Sequence, residues 1–424
     1  MSRPGRPPRD CGTGLAMHTP MPGWHIAVRV LWIGQVFSAF GQSVFLLSLY
    51  WFVQSSTNST AATGTAGMAL FLPALISPLA GVVADRIDRI RLMLVADAAR
   101  TLPVLILVAV QAAGHSITYR DMIVVGIALS LGAQFFGPAR FAVLPELVPK
   151  ERLTSANGLF FVGEQGGALA GSVIGGVAVA SLGMVSTLQI SAEILMVSII
   201  SLVSLWFITT RFSAQKTAAT VESMAKPDWW GGLRVVTSSR WLTTLFGATA
   251  MLYLAFAPLI VLMPAWARDR LGSGADGYGF LEAALPIGMA VGGALAGSMA
   301  HRFGKLPVLV TGVIGAGIAI ITLSLQATLA GTAVSLVLAG IPLAAGQVTL
   351  MTLVQESADD QSRGRVFGIL NMVVTLSTPL GMALSGYGAQ VLGVRMLWQS
   401  AGAAFCMTGL VLWSKGVRSY SKSQ

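Results

Sequence analysis

The chain has 424 residues, of which 54% are hydrophobic and only 10% charged, and its formal net charge is +10. A soluble domain carries about 25% charged residues, so a chain this apolar cannot hide its surface in one core and needs the lipid bilayer as solvent. The basic residues are spread over the predicted loops without interleaved aromatic residues, which argues for membrane orientation and against nucleic-acid binding.

The N-terminal segment 1–23 is polar and rich in arginine and proline. Proline disfavours helix, so we expect a disordered basic tail. A cleavable signal peptide is not predicted, because the apolar run that follows is long enough to span a membrane and lacks a small-residue cleavage site.

Twelve apolar runs follow, and a spanning helix needs about 20 such residues. The predicted spans are about 28–53, 66–84, 92–112, 121–141, 157–180, 187–210, 241–265, 277–300, 306–327, 331–354, 366–390 and 394–414. The polar segment 211–240 contains Trp229 and Trp230, typical of a membrane interface, and is the predicted cytoplasmic linker. The predicted fold is an all-α integral membrane protein with two six-helix bundles, 24–210 and 241–414, and a C-terminal tail at 415–424.

Lysine and arginine predict the orientation. With the N-terminus inside, the cytoplasmic loops and termini hold all of the 27 basic residues except Arg100, Arg120, Arg268, Arg270 and Arg395. The positive-inside rule then places both termini in the cytoplasm, and we expect a multi-pass protein of the inner (plasma) membrane.

A charged loop recurs in the two halves. The second and third helices are joined by Gly81-Val-Val-Ala-Asp85-Arg86-Ile-Asp88-Arg89-Ile-Arg91, and a weaker copy, Gly297-Ser-Met-Ala-His301-Arg302-Phe-Gly304-Lys305, joins the eighth and ninth. This recurrence indicates an internal duplication, so the two bundles are expected to be related by a pseudo-two-fold axis. The first copy is close to Gly-x-x-x-Asp-Arg-x-Gly-Arg-Arg/Lys, the loop of Major Facilitator Superfamily transporters, and the chain resembles that superfamily.

The fifth helix carries Gly167-Ala-Leu-Ala-Gly171-Ser172-Val-Ile-Gly175-Gly176. Glycines four apart let another backbone approach closely, so tight packing alone is one interpretation. Exporters of the superfamily carry Gly-x-x-x-Gly-Pro-x-x-Gly-Gly here, and this chain is similar, with Ser172 in place of proline. The resemblance implies export and a glycine face toward the interface between the bundles. A shift of about 210 residues also lays Gly171 on Gly381 and Gly176 on Gly386.

Two further segments narrow the resemblance. The runs from Pro138 to Pro149 and from Ala156 to Leu159 resemble the branch that holds the enterobactin exporter and the macrolide efflux proteins. Asp85 falls near the cytoplasmic end of the second helix, where we expect it to face the N-terminus of a helix from the other half or to pair with a cation such as Arg140. Either contact would latch the two bundles on the cytoplasmic side. A solvated topology anchor is the alternative, and His301 at the equivalent position makes a symmetric latch doubtful. The predicted latch residues are Gly81, Asp85, Arg86, Arg89 and Arg140.

Ionisable groups inside spanning helices are costly and are functional candidates by default. The predicted ion-coupling candidates are Asp97, Arg100, Glu164, Glu193 and Glu282. Asp97 and Arg100 are three residues apart and can pair on one helix face. Glu164, about 12 Å into the fifth helix, is the first choice for exchanging a proton. The fourth helix is expected to lack a buried arginine.

Polar side chains on several helices predict a cavity. The candidates are Gln35, Gln42, Gln134, Tyr253, Gln347 and Asn371. Hydrogen bonding between helices is the alternative role for each of them. Aromatic walls with several amides and few acids suit a bulky amphipathic solute better than a sugar or a phosphate.

The sequence therefore predicts a secondary active exporter of drugs, macrolides or siderophore-like metabolites, working by alternating access in exchange for protons or another cation. An importer of a small nutrient on the same fold and a non-transporting membrane sensor are the alternatives. An enzyme is not predicted, because no metal-ligand cluster, phosphate loop or nucleophile elbow is found. We expect no cofactor, no nucleic-acid partner and a monomer in the bilayer.

Overall fold

The computed structural model describes residues 24–77, 79–80, 83, 87–149, 152–212, 234, 236–357 and 363–420, and the described chain is helical almost throughout. The N-terminal half contains α1 (Trp24–Thr57), α2 (Thr60–Phe71, continued by a 3-10 turn Leu72–Ile76), α3 (Arg89–Ala112), α4 (Tyr119–Leu147), α5 (153–182) and α6 (184–212). The C-terminal half contains α7 (Arg240–Val261), α8 (Ala275–Phe303), α9 (Lys305–Leu323), α10 (Leu329–Glu356), α11 (Arg363–Leu392) and α12 (Val394–Tyr420).

Local chemistry explains where the helices begin and end. The hydroxyls of Ser59, Thr118, Ser239 and Thr328 accept hydrogen bonds from backbone amides at the starts of α2, α4, α7 and α10. Such caps satisfy amides that have no partner within the helix. Gly183 separates α5 from α6 with φ 81° and ψ 172°, a conformation in which other residues are strained.

The predicted all-α membrane fold is confirmed. Within the described residues, ten helical stretches are long and apolar enough to cross a membrane; the longest of them contains both α5 and α6, and the shorter apolar helix Thr60–Ile76 corresponds to α2. Three boundaries differ from the prediction by six residues, and one of them is the end of α12, which continues to Tyr420 rather than ending near 414. The second helix begins at Thr60 rather than near 66, and α4 continues to Leu147 rather than ending near 141, because the helix runs on through Pro138 and Pro145.

The predicted domain boundaries fall partly outside the described residues. The tail 1–23 and nearly all of the linker 211–240 lie there, as do residues 421–424 of the predicted C-terminal tail. These assignments stay predictions.

Each half packs mainly within itself, and two helix pairs join the halves. In the N-terminal half, α1 packs on α5 and α6, and α3 packs on α4; in the C-terminal half, α8 and α9 pack on α10, and α7 packs on α11. Between the halves, α2 packs on α11 and α5 packs on α8. The two interface pairs have equivalent positions in the two halves.

Glycines make both crossings possible. A Cβ atom added to Gly64 of α2 would lie 2.6 Å from the carbonyl oxygen of Met382 and 2.8 Å from the Cα of Gly386 in α11. A Cβ added to Gly176 of α5 would lie 2.5 Å from the carbonyl oxygen of Ala275 and 3.0 Å from the Cα of Gly279 in α8. Backbones therefore touch at both crossings, as in membrane helix pairs with small residues at the interface.

The predicted duplication is visible in these contacts. Gly176 and Gly386 hold the two equivalent crossings. Gly171 approaches the backbone of Phe40 in α1, and its counterpart Gly381 approaches the backbone of Leu254 in α7, so each packs against the first helix of its own half.

The two halves diverge away from the crossings. Gly158 of α5 and Gly297 of α8 each lie 18 residues, about five turns, from the crossing glycine on the same helix face. A Cβ added to either of them would meet no atom within 4 Å. We call the end with the crossings the closed end; there each odd-numbered helix connects to the next even-numbered one. The opposite end is the open end.

The glycine crossings give a first prediction. Gly64→Ala and Gly176→Ala place a methyl group against backbone that cannot move away alone, and overpacking of this kind costs about 1–3 kcal/mol. We expect both variants to unfold at a lower temperature than the wild type in a thermal unfolding experiment on the purified protein in detergent.

Gly158→Ala and Gly297→Ala are matched controls on the same helix faces. Their methyl groups enter open space, so their unfolding temperatures should equal or exceed that of the wild type. Equal temperatures for all four variants would contradict the assignment of the closed end.

Candidate functional site

A cavity of about 300 Å³ lies in the N-terminal half, between α1, α3, α4 and α5. It brings together five of the polar residues that the sequence predicts to be functional. Gln35 and Gln42 line it from α1, Arg100 from α3, Arg140 from α4 and Glu164 from α5. The side-chain oxygen of Gln35 is buried and lacks a hydrogen-bond partner among the described residues.

Asp97 and Arg100 form the predicted ion pair. Arg100 Nη1 lies 3.0 Å from Asp97 Oδ1, and the two side chains are 4% and 1% exposed, respectively. The second carboxylate oxygen of Asp97 accepts a hydrogen bond from Ser198, and Arg100 Nη2 donates to Gln42 Oε1 at 2.5 Å. Both charges are therefore neutralised locally, which is the condition for burying them.

Arg140 and Glu164 form a second ion pair, with Nη1 2.7 Å from Oε2. The Arg140 side chain is 12% exposed, whereas Glu164 is 41% exposed and borders the cavity. α4 extends past Arg140 to Leu147, so Arg140 is a partly buried residue of this helix near its open end.

The described residues include only part of the predicted latch. Gly81, Asp85 and Arg86 lie outside the described residues, so their role stays a prediction. In this structure Arg140 pairs with Glu164. Asp88, which replaces the superfamily's second glycine, has a structural use: its carboxylate accepts a hydrogen bond of 2.8 Å from the amide of Arg91 and caps α3. Arg89 is the first residue of α3.

The glycine face of α5 packs mainly against α1, and not against the other half as predicted. Cβ atoms added to Gly167 and Gly171 would lie 2.5 Å from carbonyl oxygens of α1, and one added to Gly175 would lie 3.1 Å from the Cα of Val44. This face packs against α1 within the same half, and Gly176 alone of the motif's glycines meets α8. Ser172 donates to the carbonyl of Ala168, a bond of serine to its own helix that bends the helix only mildly.

A smaller, largely apolar cavity of about 120 Å³ lies in the C-terminal half. Tyr253 and Gln347 provide its polar groups, with Gln347 Nε2 donating to Tyr253 Oη at 3.1 Å. Two other predicted cavity residues line neither cavity: Gln134 bonds to the carbonyl of Ser130 in its own helix, and Asn371 is exposed on α11.

The two remaining acids differ in their surroundings. Glu193 is exposed on α6 and lines neither cavity. Glu282 is partly buried on α8, three residues beyond the crossing glycine Gly279, and faces the hydroxyl groups of Tyr278 and Tyr50. Of the five ionisable candidates, only Arg100 and Glu164 border the larger cavity.

Arg268 is not among the predicted functional residues, because the predicted orientation places it in an external loop. Arg268 lies in a π-helical turn, Trp266–Arg270, at the end of the seventh span. Its Nη1 donates to the carbonyl oxygen of Gln54 at 3.1 Å, and its Nη2 donates to Oδ1 of Asn58. The guanidinium group thus binds the C-terminal end of α1, where unpaired carbonyls carry partial negative charge.

Two further hydrogen bonds cross between the halves at the closed end. Thr60 Oγ1 donates to the carbonyl of Gly386 at 2.9 Å, and Gln390 Nε2 donates to Ser59 Oγ at 2.8 Å. We call these bonds, together with those of Arg268, the clasp. The one sequence signal for the clasp is the charged residue Arg268 directly after an apolar helix.

Comparisons with known proteins agree with this architecture. The sequence matches the family described as transmembrane secretion effector over residues 19–424. It is 25% identical to macrolide efflux protein A of Streptococcus pyogenes over 406 residues, which cover 92% of this chain and 95% of that protein. It is 26% identical to the multidrug efflux pump Tap of Mycolicibacterium fortuitum over 385 residues, which cover 88% and 91%.

Among solved structures, the fold is similar to that of a bacterial homologue of the iron transporter ferroportin in an inward-facing state. The TM-score is 0.73 at 15% identity, covering 92% of this chain and 98% of that one.

The clasp gives a second prediction. Arg268→Gln removes charged hydrogen bonds worth about 1.5–3 kcal/mol each, so the closed end should open more often. The reporter is Ala61→Cys, a position buried beside Gly386, in a chain whose Cys11 and Cys406 are replaced by serine. Its labelling by a membrane-impermeant thiol reagent should accelerate severalfold.

Arg120→Gln is the control, because exposed Arg120 lies at the same end and contacts its own neighbour Tyr119. Equal acceleration in both variants would contradict a specific clasp.

The buried pair gives a third prediction. Arg100→Met leaves the carboxylate of Asp97 buried without its cation, and breaking a buried pair costs about 3–5 kcal/mol. Thermal unfolding of the purified variant should show a clear loss of stability. The double variant Asp97→Asn/Arg100→Met removes both charges and should recover most of it. A double variant no more stable than Arg100→Met alone would exclude this explanation.

Proposed function

The chain belongs to the transmembrane secretion effector family of Major Facilitator Superfamily transporters, and we propose that it is a proton-coupled exporter of drugs, macrolides or siderophore-like metabolites. It is a multi-pass membrane transporter of a bacterial efflux family rather than an enzyme. Relatives named for macrolide and multidrug efflux match it nearly end to end, which favours export over nutrient import and over sensing.

One observation carries the proposal. The halves touch at the closed end and diverge by the open end, and each half contains a cavity. We place the substrate site in the space between the halves, which a solute can reach from the open end only. Rocking the halves about the site to open the other end is alternating access, the working principle of transporters built from repeats.

The charged loops support an assignment of sides. Arg89, Arg91, Arg302 and Lys305 all lie at the open end. Loops rich in lysine and arginine stay in the cytoplasm, so the open end faces the cytoplasm and the structure is inward-facing. Both termini then lie in the cytoplasm and the protein resides in the plasma membrane. An inward-facing exporter is ready to take up its substrate.

The two walls of the central space suit an amphipathic substrate. In the N-terminal wall, the charges of Arg100 and Arg140 are balanced by Asp97 and Glu164, and the amides of Gln35 and Gln42 add uncharged polarity. The opposite wall is apolar except for Tyr253 and Gln347. A solute with a bulky apolar body and a polar edge meets both walls, whereas a strongly anionic one finds no unpaired cation among these lining residues.

Glu164 is the coupling carboxylate of this proposal. It borders the cavity, is the most exposed of the four paired charges, and holds Arg140 through one oxygen. A proton on Glu164 removes its negative charge and weakens its hold on Arg140. Arg140 then becomes available to another acid at the open end, for which Asp85 stays the predicted partner.

Accumulation assays test the proposal. In efflux-deficient cells, expression of the chain should lower accumulation of a fluorescent lipophilic dye or a labelled macrolide severalfold, and a protonophore should reverse the effect. Glu164→Gln should abolish the protonophore-sensitive part because its amide cannot exchange a proton. Glu193→Gln is the matched control, since it removes a carboxylate that lines neither cavity.

Three outcomes would count against the proposal. Unchanged accumulation of every compound, with the protein present in the membrane, would favour narrow metabolite export, import or sensing. Raised accumulation would indicate import. Full protonophore-sensitive export by Glu164→Gln would remove Glu164 from the coupling mechanism.

A further inference from the structure

Glu282 differs from the other acids of the membrane interior. Asp97 is paired with Arg100 and Glu164 with Arg140. Glu282 borders a separate small cavity of about 40 Å³ whose other lining residues are apolar, contributed by α7, α8 and α10. Among the described residues, the titratable groups facing it are Tyr278 of its own helix and Tyr50 of α1, and no cation faces it.

Resting on the proposed function, we infer that Glu282 is a second proton-binding site, and that its protonated form is what allows the closed end to seal. An ionised carboxylate without a cation partner in an apolar pocket is strongly disfavoured, and such a group holds a proton instead. In the state seen here, with the closed end sealed, Glu282 is therefore a neutral carboxylic acid among two tyrosine hydroxyls.

Its position ties the proton to the conformational change. Glu282 lies about one helical turn beyond Gly279 along α8, toward the open end. Gly279 crosses Gly176 of the other half. Tyr50, which faces it, also belongs to the other half and is buried. Separation of the crossings parts α8 from these neighbours and brings water to the carboxyl group. Glu282 then exchanges its proton with the outer solution, and it must be protonated again before the seal re-forms.

Phe256 connects this site to the substrate space. Of the described residues that line the two cavities, it alone borders both the apolar cavity and the Glu282 cavity. A substrate that fills the apolar cavity contacts Phe256, and displacement of that ring opens Glu282 to the cytoplasmic side. The carboxylic acid then gives its proton to water and becomes a carboxylate. In each cycle one proton is taken up from outside and released into the cytoplasm, while the substrate moves in the opposite direction. Antiport requires this exchange.

A substrate-independent experiment tests the site. The Ala61→Cys reporter at the closed end, in the background with Cys11 and Cys406 replaced by serine, is labelled with a membrane-impermeant thiol reagent between about pH 5.5 and 8.5. Protonated Glu282 favours the seal, so the seal weakens as rising pH ionises the group. The rate relative to that of Glu282→Gln, which stays neutral, should rise severalfold across this range. Taking the ratio cancels the intrinsic reactivity of the thiol.

Two variants serve as controls. Asp276→Asn removes an exposed acid from the first turn of the same helix and should keep the wild-type pH dependence. Glu282→Asp keeps a titratable group and should retain part of it. A ratio that stays constant with pH, or a pH dependence abolished equally by Asp276→Asn, would overturn the inference.

Transport in liposomes separates this inference from the proposed function. With radiolabelled erythromycin, Glu282→Gln should lose accumulation driven by a pH gradient yet keep substrate exchange across the membrane, which moves no net proton. Gradient-driven accumulation equal to wild type would overturn the inference. If the wild type moves no erythromycin but shows the pH-dependent seal, the proposed substrate class fails and the proton site stands.

Discussion

The close approach of backbones at two glycine crossings is the constraint on which the rest of this structure depends. Gly64 meets Gly386 and Gly176 meets Gly279, at equivalent places in the two halves. A contact between bare backbones needs no interlocking side chains, so it can part and re-form without repacking a core. Because both crossings lie at the closed end, the halves diverge toward the other end and leave space for a solute between them.

The two halves share a fold but differ in the charged and polar side chains around their cavities. The N-terminal half holds two ion pairs around its cavity, whereas the cavity of the C-terminal half is apolar apart from Tyr253 and Gln347. Duplication explains the shared backbone contacts, and later divergence of the side chains gave each wall its own character. The same asymmetry leaves Glu282 of the C-terminal half without a cation among the described residues, whereas Asp97 is paired with Arg100.

The helices and the Asp97–Arg100 pair were predictable because they follow from spacing within one segment, and the duplication was predictable because its motifs recur in both halves. Partners on different helices were not, since they depend on how each helix is rotated about its axis. The glycine stripe of α5 suits close packing against α1 or against α8 equally well, and only the fold shows that most of it faces α1. The predicted end of the fourth helix near residue 141 left Arg140 in the last turn, whereas α4 continues to Leu147 and places it farther inside the helix. Arg268 bonds to residues more than 200 positions away, which no local pattern reveals.

The energies of the closed end match those that a transport cycle can supply. Reversing a two-state equilibrium from 1:99 to 99:1 requires about 5.5 kcal/mol. One charge crossing 100 mV contributes about 2.3 kcal/mol, and differential binding of a substrate adds a few more. A seal made of buried ion pairs would be harder to part, because the attraction between two charges is strong in a low-dielectric interior. In the described chain the buried Asp97–Arg100 pair and the partly exposed Arg140–Glu164 pair lie within the N-terminal half, whereas the halves meet through glycine backbones and the clasp. The buried ion pair therefore stabilises one half internally, and the contacts that must part lie where the molecule opens.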